Sequence, residues 1–137
     1  MYKIDKILIG THNKGKFREI SDLLPKEIEK ISPNDLGIES PEETGKTFLA
    51  NSELKANFFC NKSKLITLSD DSGLEIDCLN GQPGIFSSRW AEQFGSFDNA
   101  MIEILKKIRV LKKGTKAQFV CSLTIQWPDG KKISEIG

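Results

Sequence analysis

Two adjacent carboxylates, Asp70 and Asp71, follow an apolar run that ends at Leu68. Buried strands rarely end in paired like charges, because repulsion and desolvation destabilise such a pair. A divalent cation shared by both carboxylates removes that penalty, so the pattern is compatible with a metal site just past a strand end. Asp, Ser and Gly are also ordinary turn formers, and the spacing alone leaves a solvated turn equally open.

A second stretch with chemical potential lies near the N-terminus, at residues 11–16. The preceding residues 6–10 are mostly apolar and predict a buried strand, and residues 17–24 have helical spacing. A loop between them exposes backbone N–H groups at the positive end of a helix dipole, and Lys14 and Lys16 add full charges. This arrangement suits a polyphosphate, and a plain turn with surface lysines is the alternative.

The same stretch nearly matches the P-loop of nucleotide-binding proteins. Gly10, Gly15 and Lys16 stand at the required positions. The next residue should be Ser or Thr, to hold magnesium, and here it is Phe17. The sequence is therefore not that of a P-loop NTPase, and the phosphate-binding hypothesis depends on loop geometry and charge.

A long polar loop is predicted for residues 32–45, which Pro33 and Pro41 interrupt. It carries three glutamates, Glu39, Glu42 and Glu43. Such a loop serves as a mobile flap or a second source of metal ligands, or it is simply solvated. Charge counts do not separate these possibilities.

The elements that must position these residues alternate between strand and helix. Strands are predicted at residues 6–10, 28–31, 65–68, 74–78, 117–127 and 131–136, and helices at 17–24, 47–60 and 98–111. A tight turn is predicted at residues 80–84. After it, Arg89 could bind phosphate and Trp90 could stack on a base, although core packing is the more frequent use of such a Trp.

Composition excludes several classes of protein. The chain has 137 residues and a net charge of +1, so it fits one domain without a basic surface for nucleic acid or membranes. No run approaches the roughly 18 apolar residues of a membrane span, and the first residues lack a signal peptide core. Three widely spaced cysteines favour a reduced, cytoplasmic protein over a disulfide framework.

Three segments together resemble the inosine/xanthosine triphosphate pyrophosphatases, which remove noncanonical purine nucleotides. They are residues 11–19, 43–56 and 70–89, and the last is the most specific. Their order and spacing also agree with the family, so the resemblance covers essentially the whole chain. It implies hydrolysis of ITP, dITP or XTP to the monophosphate and pyrophosphate, with Mg²⁺, in a homodimer.

The implied fold is α/β, a twisted mixed β-sheet flanked by helices, with two lobes and a central cleft. Seven residues would bind the substrate: Thr11, His12, Asn13, Lys14, Gly15, Lys16 and Ser72. Asp71 would ligate the magnesium and act as the general base that activates water. Glu42 is our first choice for a further metal ligand, with Glu39 behind it, and Asp70 supports the site.

Two departures from the family pattern are visible. Ala50 stands where the family usually has a Glu that could support the metal. The purine-recognising Phe-Gly-Tyr-Asp and Ser-His-Arg segments of the family do not occur. We therefore expect residues 1–137 to be a single pyrophosphatase domain that lacks the C-terminal part, with the second lobe incomplete. The alternative function is a truncated chain that binds nucleotide or a partner without turnover.

Overall fold

The computed structural model describes residues 3–137 and has a five-stranded sheet with four α-helices. The strands are β1 (Lys6–Ile9), β2 (Glu29–Ile31), β3 (Thr67–Ile76), β4 (Ala117–Gln126) and β5 (Lys132–Ile136). The helices are α1 (Lys14–Leu23), α2 (Phe48–Ser63), α3 (Ser87–Gln93) and α4 (Phe97–Leu111). The strand order is β2-β1-β3-β4-β5, in which β1 is parallel to β2 and β3 while β4 and β5 are antiparallel. The predicted α/β class with a mixed sheet is confirmed.

The described residues form two compact units. One unit contains the chain up to Asp71 and residues Ser122–Ile136, and so includes β1, β2, α1, α2 and β5. The other contains Ser72–Cys121 and Gly137, and so includes α3 and α4. Among residues 3–137, no helix combines the length and the apolar character needed to cross a membrane.

The core of the first unit begins with the apolar residues of β1. Ile7 and Ile9 are fully buried and cluster with Leu68 of β3, and Phe17 and Ile20 of α1 pack against them. Residues 17 and 20 are one helical turn apart, so they face the sheet together. This packing fixes the N-terminal end of α1 beside the end of β1.

Strand β3 differs from the prediction of two strands separated by a turn. It runs without a break from Thr67 to Ile76, so Asp70 and Asp71 lie inside the strand. The predicted strand end at Leu68 is wrong. The strand continues because the buried polar side chains find partners on both neighbouring helices. Neighbouring residues of a strand point to opposite faces, so Asp70 faces α1 and Asp71 faces α2.

Strand β4 forms where the sequence predicts a strand, and its apolar and polar residues alternate, but the polar face is the buried one. Ser122 and Thr124 are fully buried, whereas Phe119 on the other face is 70% exposed. Ser52 of α2 explains this burial, because its Oγ lies 2.8 Å from Ser122 Oγ and 2.9 Å from Thr124 Oγ1. Thr124 Oγ1 also lies 2.8 Å from Ser134 Oγ of β5. A hydroxyl network therefore attaches α2 to the sheet.

We expect Ser52→Ala to lower the free energy of unfolding by about 2 kcal/mol, because two buried hydroxyl groups then lose a hydrogen-bond partner. Urea denaturation followed by circular dichroism measures this loss. Asn61→Ala, an exposed change on the same helix, should stay within about 0.5 kcal/mol of the original chain. Equal stabilities for the two variants would contradict the energetic role of the network.

The second unit has its own hydrophobic cluster. Ile76, Leu79 and Ile104 are buried there, and Trp90 packs against them. The Lys107 ammonium lies 4.8 Å from the centre of the Trp90 ring. Trp90 therefore has the packing role that the sequence left open. The predicted tight turn at residues 80–84 is confirmed, with positive φ at Asn80 among its residues.

Candidate active site

The loop after β1 is shaped by its own polar side chains. Thr11 Oγ1 accepts a hydrogen bond from the Asn13 N–H at 3.1 Å, and Asn13 Oδ1 accepts one from the Lys16 N–H at 3.0 Å. Asn13 is thereby the N-cap of α1, which begins at Lys14. His12 Nδ1 lies 3.1 Å from Asn34 Oδ1. The loop therefore presents an ordered helix N-terminus, where the dipole favours an anion.

A cavity of about 680 Å³ opens beside this loop, a size typical of small-molecule sites. Its walls include Thr11, His12, Asn13 and Lys14, four of the residues predicted to bind substrate, together with Arg18 of α1. Lys14 and Arg18 are one helical turn apart and so share a face. The cavity therefore combines space with positive charge next to the predicted phosphate loop.

Asp70 is engaged by a lysine of that loop. Lys16 Nζ lies 3.0 Å from Asp70 Oδ2, and the carboxylate is buried. This ion pair lies on the α1 side of β3, whereas Asp71 is on the other side. The expectation that Asp70 and Asp71 share one cation at a strand end is therefore not met.

Asp71 is a buried acid with a partly compensated charge. The residue is only 6% exposed. The pKa of Asp71 is raised from 3.8 to about 6, chiefly by burial and next by the negative charge of Glu43. The Asn51 hydrogen bond and the charges of Lys55 and Lys16 act in the opposite direction.

The acidic loop reaches this site through Glu43. Glu43 Oε1 lies 3.4 Å from Lys55 Nζ, and the Lys55 side chain is mostly buried. Glu42, our first choice for a metal ligand, is exposed, and so is Glu39. Only Glu43 of the three is an electrostatic neighbour of Asp71. The structure therefore favours Glu43 over Glu42 in this role, and a ligand role for Glu42 stays a prediction.

The residues around Asp71 fit a magnesium ion. Asp71 Oδ2 is buried and has no hydrogen-bond partner among the described residues, which leaves a lone pair for a cation. No cluster of three or more His, Cys, Asp or Glu side chains suited to a metal occurs within residues 3–137. Mg²⁺ often binds through one or two carboxylates and completes its shell with water and substrate phosphates. Asp71 and Glu43 provide that donor set.

The raised pKa of Asp71 predicts a pH-dependent stability in the metal-free chain. Because the folded chain holds the proton more tightly, the contribution of Asp71 is fully present below pH 3.8 and is lost as the pH rises through about 6. The loss amounts to about 3 kcal/mol. Urea denaturation between pH 4 and pH 7 should show this decline in the original chain relative to Asp71→Asn. Parallel curves for the two chains would contradict the shift.

Two contributors to the site, Asn51 and Lys55, received no firm role from the sequence. The buried face of α2 repeats every three or four residues and consists of Phe48, Asn51, Ser52, Lys55, Ala56, Phe59 and Cys60. A polar residue on the buried face of a helix needs a partner, so the helical spacing of Asn51 and Lys55 with the apolar residues was the available sequence signal. Ser72, the remaining predicted substrate residue, is half-buried and follows Asp71 in β3.

Comparisons with known proteins identify the family of the chain. The model of the Ham1 family matches residues 7–136. The dITP/XTP pyrophosphatase of Zymomonas mobilis subsp. mobilis is 41% identical over 128 residues, covering 91% of this chain and 61% of the relative. The dITP/XTP pyrophosphatase of Rhodospirillum centenum is 43% identical over 129 residues, covering 92% of this chain and 64% of the relative. The chain thus spans less than two thirds of the length of these curated relatives.

Solved structures show the same fold. A HAM1 protein from Coxiella burnetii superposes with a TM-score of 0.86 at 29% identity, covering 98% of this chain and 70% of that one. The Ham1 protein of Staphylococcus aureus gives a TM-score of 0.82 at 31% identity, and the match covers 96% of this chain and 68% of that one. The resemblance seen in the sequence is confirmed, and the chain belongs to the Ham1 family.

Proposed function

We propose that this chain hydrolyses noncanonical purine nucleoside triphosphates (ITP, dITP and XTP) to the nucleoside monophosphate and pyrophosphate. The observation that carries the proposal is Asp71, a buried carboxylate with an unsatisfied oxygen and a pKa raised to about 6. Such an acid is a better proton acceptor near neutral pH than an ordinary aspartate. The names of the relatives, dITP/XTP pyrophosphatases, support the substrate class.

The phosphate chain of the substrate would lie against the N-terminus of α1. The helix dipole and the ammonium groups of Lys14 and Lys16 provide positive charge there. Thr11 and Asn13 hold the loop in shape, and Gly15 keeps the first turn free of a side chain. Lys55 supplies a further buried cation on the Asp71 side. These charges would offset part of the substrate's negative charge.

In the chemical step, a water oxygen attacks the α-phosphorus and its proton passes to a carboxylate oxygen of Asp71. The new bond joins the water oxygen to the α-phosphorus. The bond between the α-phosphorus and the bridging oxygen breaks, and pyrophosphate leaves with the electron pair. Asp71 is suited to hold the proton because its neutral form is favoured by burial.

We propose Mg²⁺ as the cofactor, held by Asp71 and Glu43, with Glu42 as the other candidate in the loop. When bound, it would neutralise phosphate charge and acidify the attacking water. We also propose a cytoplasmic homodimer, as the family resemblance implies. The net charge of +1 supports a partnership with a small nucleotide and gives no support for nucleic acid or a membrane surface.

The test is to incubate the chain with Mg²⁺ and either ITP, dITP, XTP, ATP or GTP, and to separate the products by ion-exchange chromatography. We expect monophosphate and pyrophosphate from the first three substrates, at rates well above those for ATP and GTP. Release of diphosphate and orthophosphate would contradict the proposed bond cleavage. Calorimetric binding of ITP without any product would support the nucleotide-binding alternative instead.

A further inference from the structure

The side chain of Asn51 connects two parts of the site that are distant in sequence. Its Oδ1 accepts a hydrogen bond from the Gly45 N–H at 2.7 Å, and its amide group is the hydrogen-bonding neighbour that lowers the pKa of Asp71. Since a carboxylate accepts hydrogen bonds, the amide NH₂ must be the donor to Asp71. The oxygen of this buried amide is therefore directed at the acidic loop, and its NH₂ group is directed at β3.

The surroundings restrict the conformation of the Asn51 side chain. The residue is 1% exposed and lies in the first turn of α2, whose N-cap is Thr47. A Cβ on Gly45 would lie 2.5 Å from Asn51 Oδ1 and 2.9 Å from the Ala50 Cβ, so the loop backbone can approach this closely only as glycine. The amide orientation is set by both partners, because reversing it would face oxygen towards oxygen at Asp71.

We propose that Asn51 is a positioning residue that holds the acidic loop against Asp71 and thereby sets the distance between the carboxylates of Glu43 and Asp71. This inference rests on the proposed function, since it describes the same metal site. Glu43 is only two residues before Gly45, so the anchor at Gly45 limits where the Glu43 carboxylate can lie. Partners that orient metal-binding carboxylates typically change metal affinity or activity about 10- to 100-fold when they are removed.

The first experiment follows hydrogen exchange at the Gly45 amide in the metal-free chain, and so is independent of catalysis. In Asn51→Leu, which has similar volume but no amide, we expect Gly45 to exchange about tenfold faster relative to the amides of β1. Asn51→Asp keeps an acceptor for Gly45 and should retain the slow exchange. Ser52→Ala is the matched control, because it weakens α2 without touching Gly45 or Asp71.

The second experiment titrates Mn²⁺, as a paramagnetic substitute for Mg²⁺, into the same chains and follows water proton relaxation. We expect Asn51→Leu to bind Mn²⁺ at least about tenfold more weakly than the original chain, and Ser52→Ala to bind it equally well. Unchanged Gly45 exchange in Asn51→Leu would overturn the inference, and so would equal losses of Mn²⁺ affinity in both variants. An original chain that binds Mn²⁺ but hydrolyses no triphosphate would refute the proposed function and leave the anchor at Gly45 intact.

Discussion

Replacing Asp71 with Asn should remove turnover while making the metal-free chain more stable at neutral pH. The amide cannot accept the proton of water, so we expect kcat for ITP to fall about a thousandfold. The same change removes a carboxylate whose pKa is raised to about 6 by burial and by the charge of Glu43. At pH 7 the free energy of unfolding should therefore increase by about 3 kcal/mol.

The combination of the two effects makes this prediction specific. Replacing a residue that only supports the fold lowers both activity and stability. Replacing a buried catalytic charge lowers activity but raises stability. Asp70→Asn is the matched control, because Asp70 is equally buried but is paired with Lys16 at 3.0 Å. It should lower stability, since the Lys16 ammonium then loses its carboxylate partner. Full activity in Asp71→Asn would refute the assigned role of Asp71.

Adding a single methyl group at Gly10 should be among the most damaging changes in the first unit. A Cβ there would overlap Ser69 Oγ and would lie 2.7 Å from a ring carbon of Phe59, which is fully buried. Neither neighbour is at the flexible end of a long side chain, so the backbone must move. We expect Gly10→Ala to lower the free energy of unfolding by about 3 kcal/mol and the melting temperature by roughly 10 °C.

Gly15→Ala is the control for this change. A Cβ at Gly15 would lie 3.2 Å from Asn13 Oδ1 and would meet nothing else closely, and alanine favours the helix that Gly15 begins. Its stability should stay within about 1 kcal/mol of the original chain. Adding Ser69→Ala to Gly10→Ala removes the nearest atom and should restore part of the loss. Calorimetric scans that find Gly10→Ala as stable as Gly15→Ala would contradict the close packing.

The sequence predicted the elements better than the orientation of their side chains. Hydrophobic periodicity located α1, α2 and α4 and the strands β1, β2, β4 and β5, because these elements bury apolar residues at regular spacing. It failed on β3, where a strand continues through Ser69, Asp70 and Asp71. Those residues look like a turn in isolation, and only the partners supplied by the helices make their burial possible.

The site was predictable to the extent that it is local in sequence. The Thr11 to Asn13 turn follows from side chains that bond to nearby backbone groups. The choice among Glu39, Glu42 and Glu43 was not predictable, because it depends on where a polar loop lies against α2. Alternation also failed to predict that the polar face of β4 is buried, since its partners come from Ser52 and Ser134.

The path of β3 through the two carboxylates has a consequence for insertions and deletions. The side chains of a strand alternate between its two faces. One residue added between Leu68 and Ser69 would therefore exchange the faces of Asp70 and Asp71. Lys16 of α1 would then face Ser69 in place of Asp70, although no residue had been substituted. This strand should therefore accept changes of residue type more readily than any change of length, and surviving length variation should be found in pairs of residues or outside Thr67–Ile76.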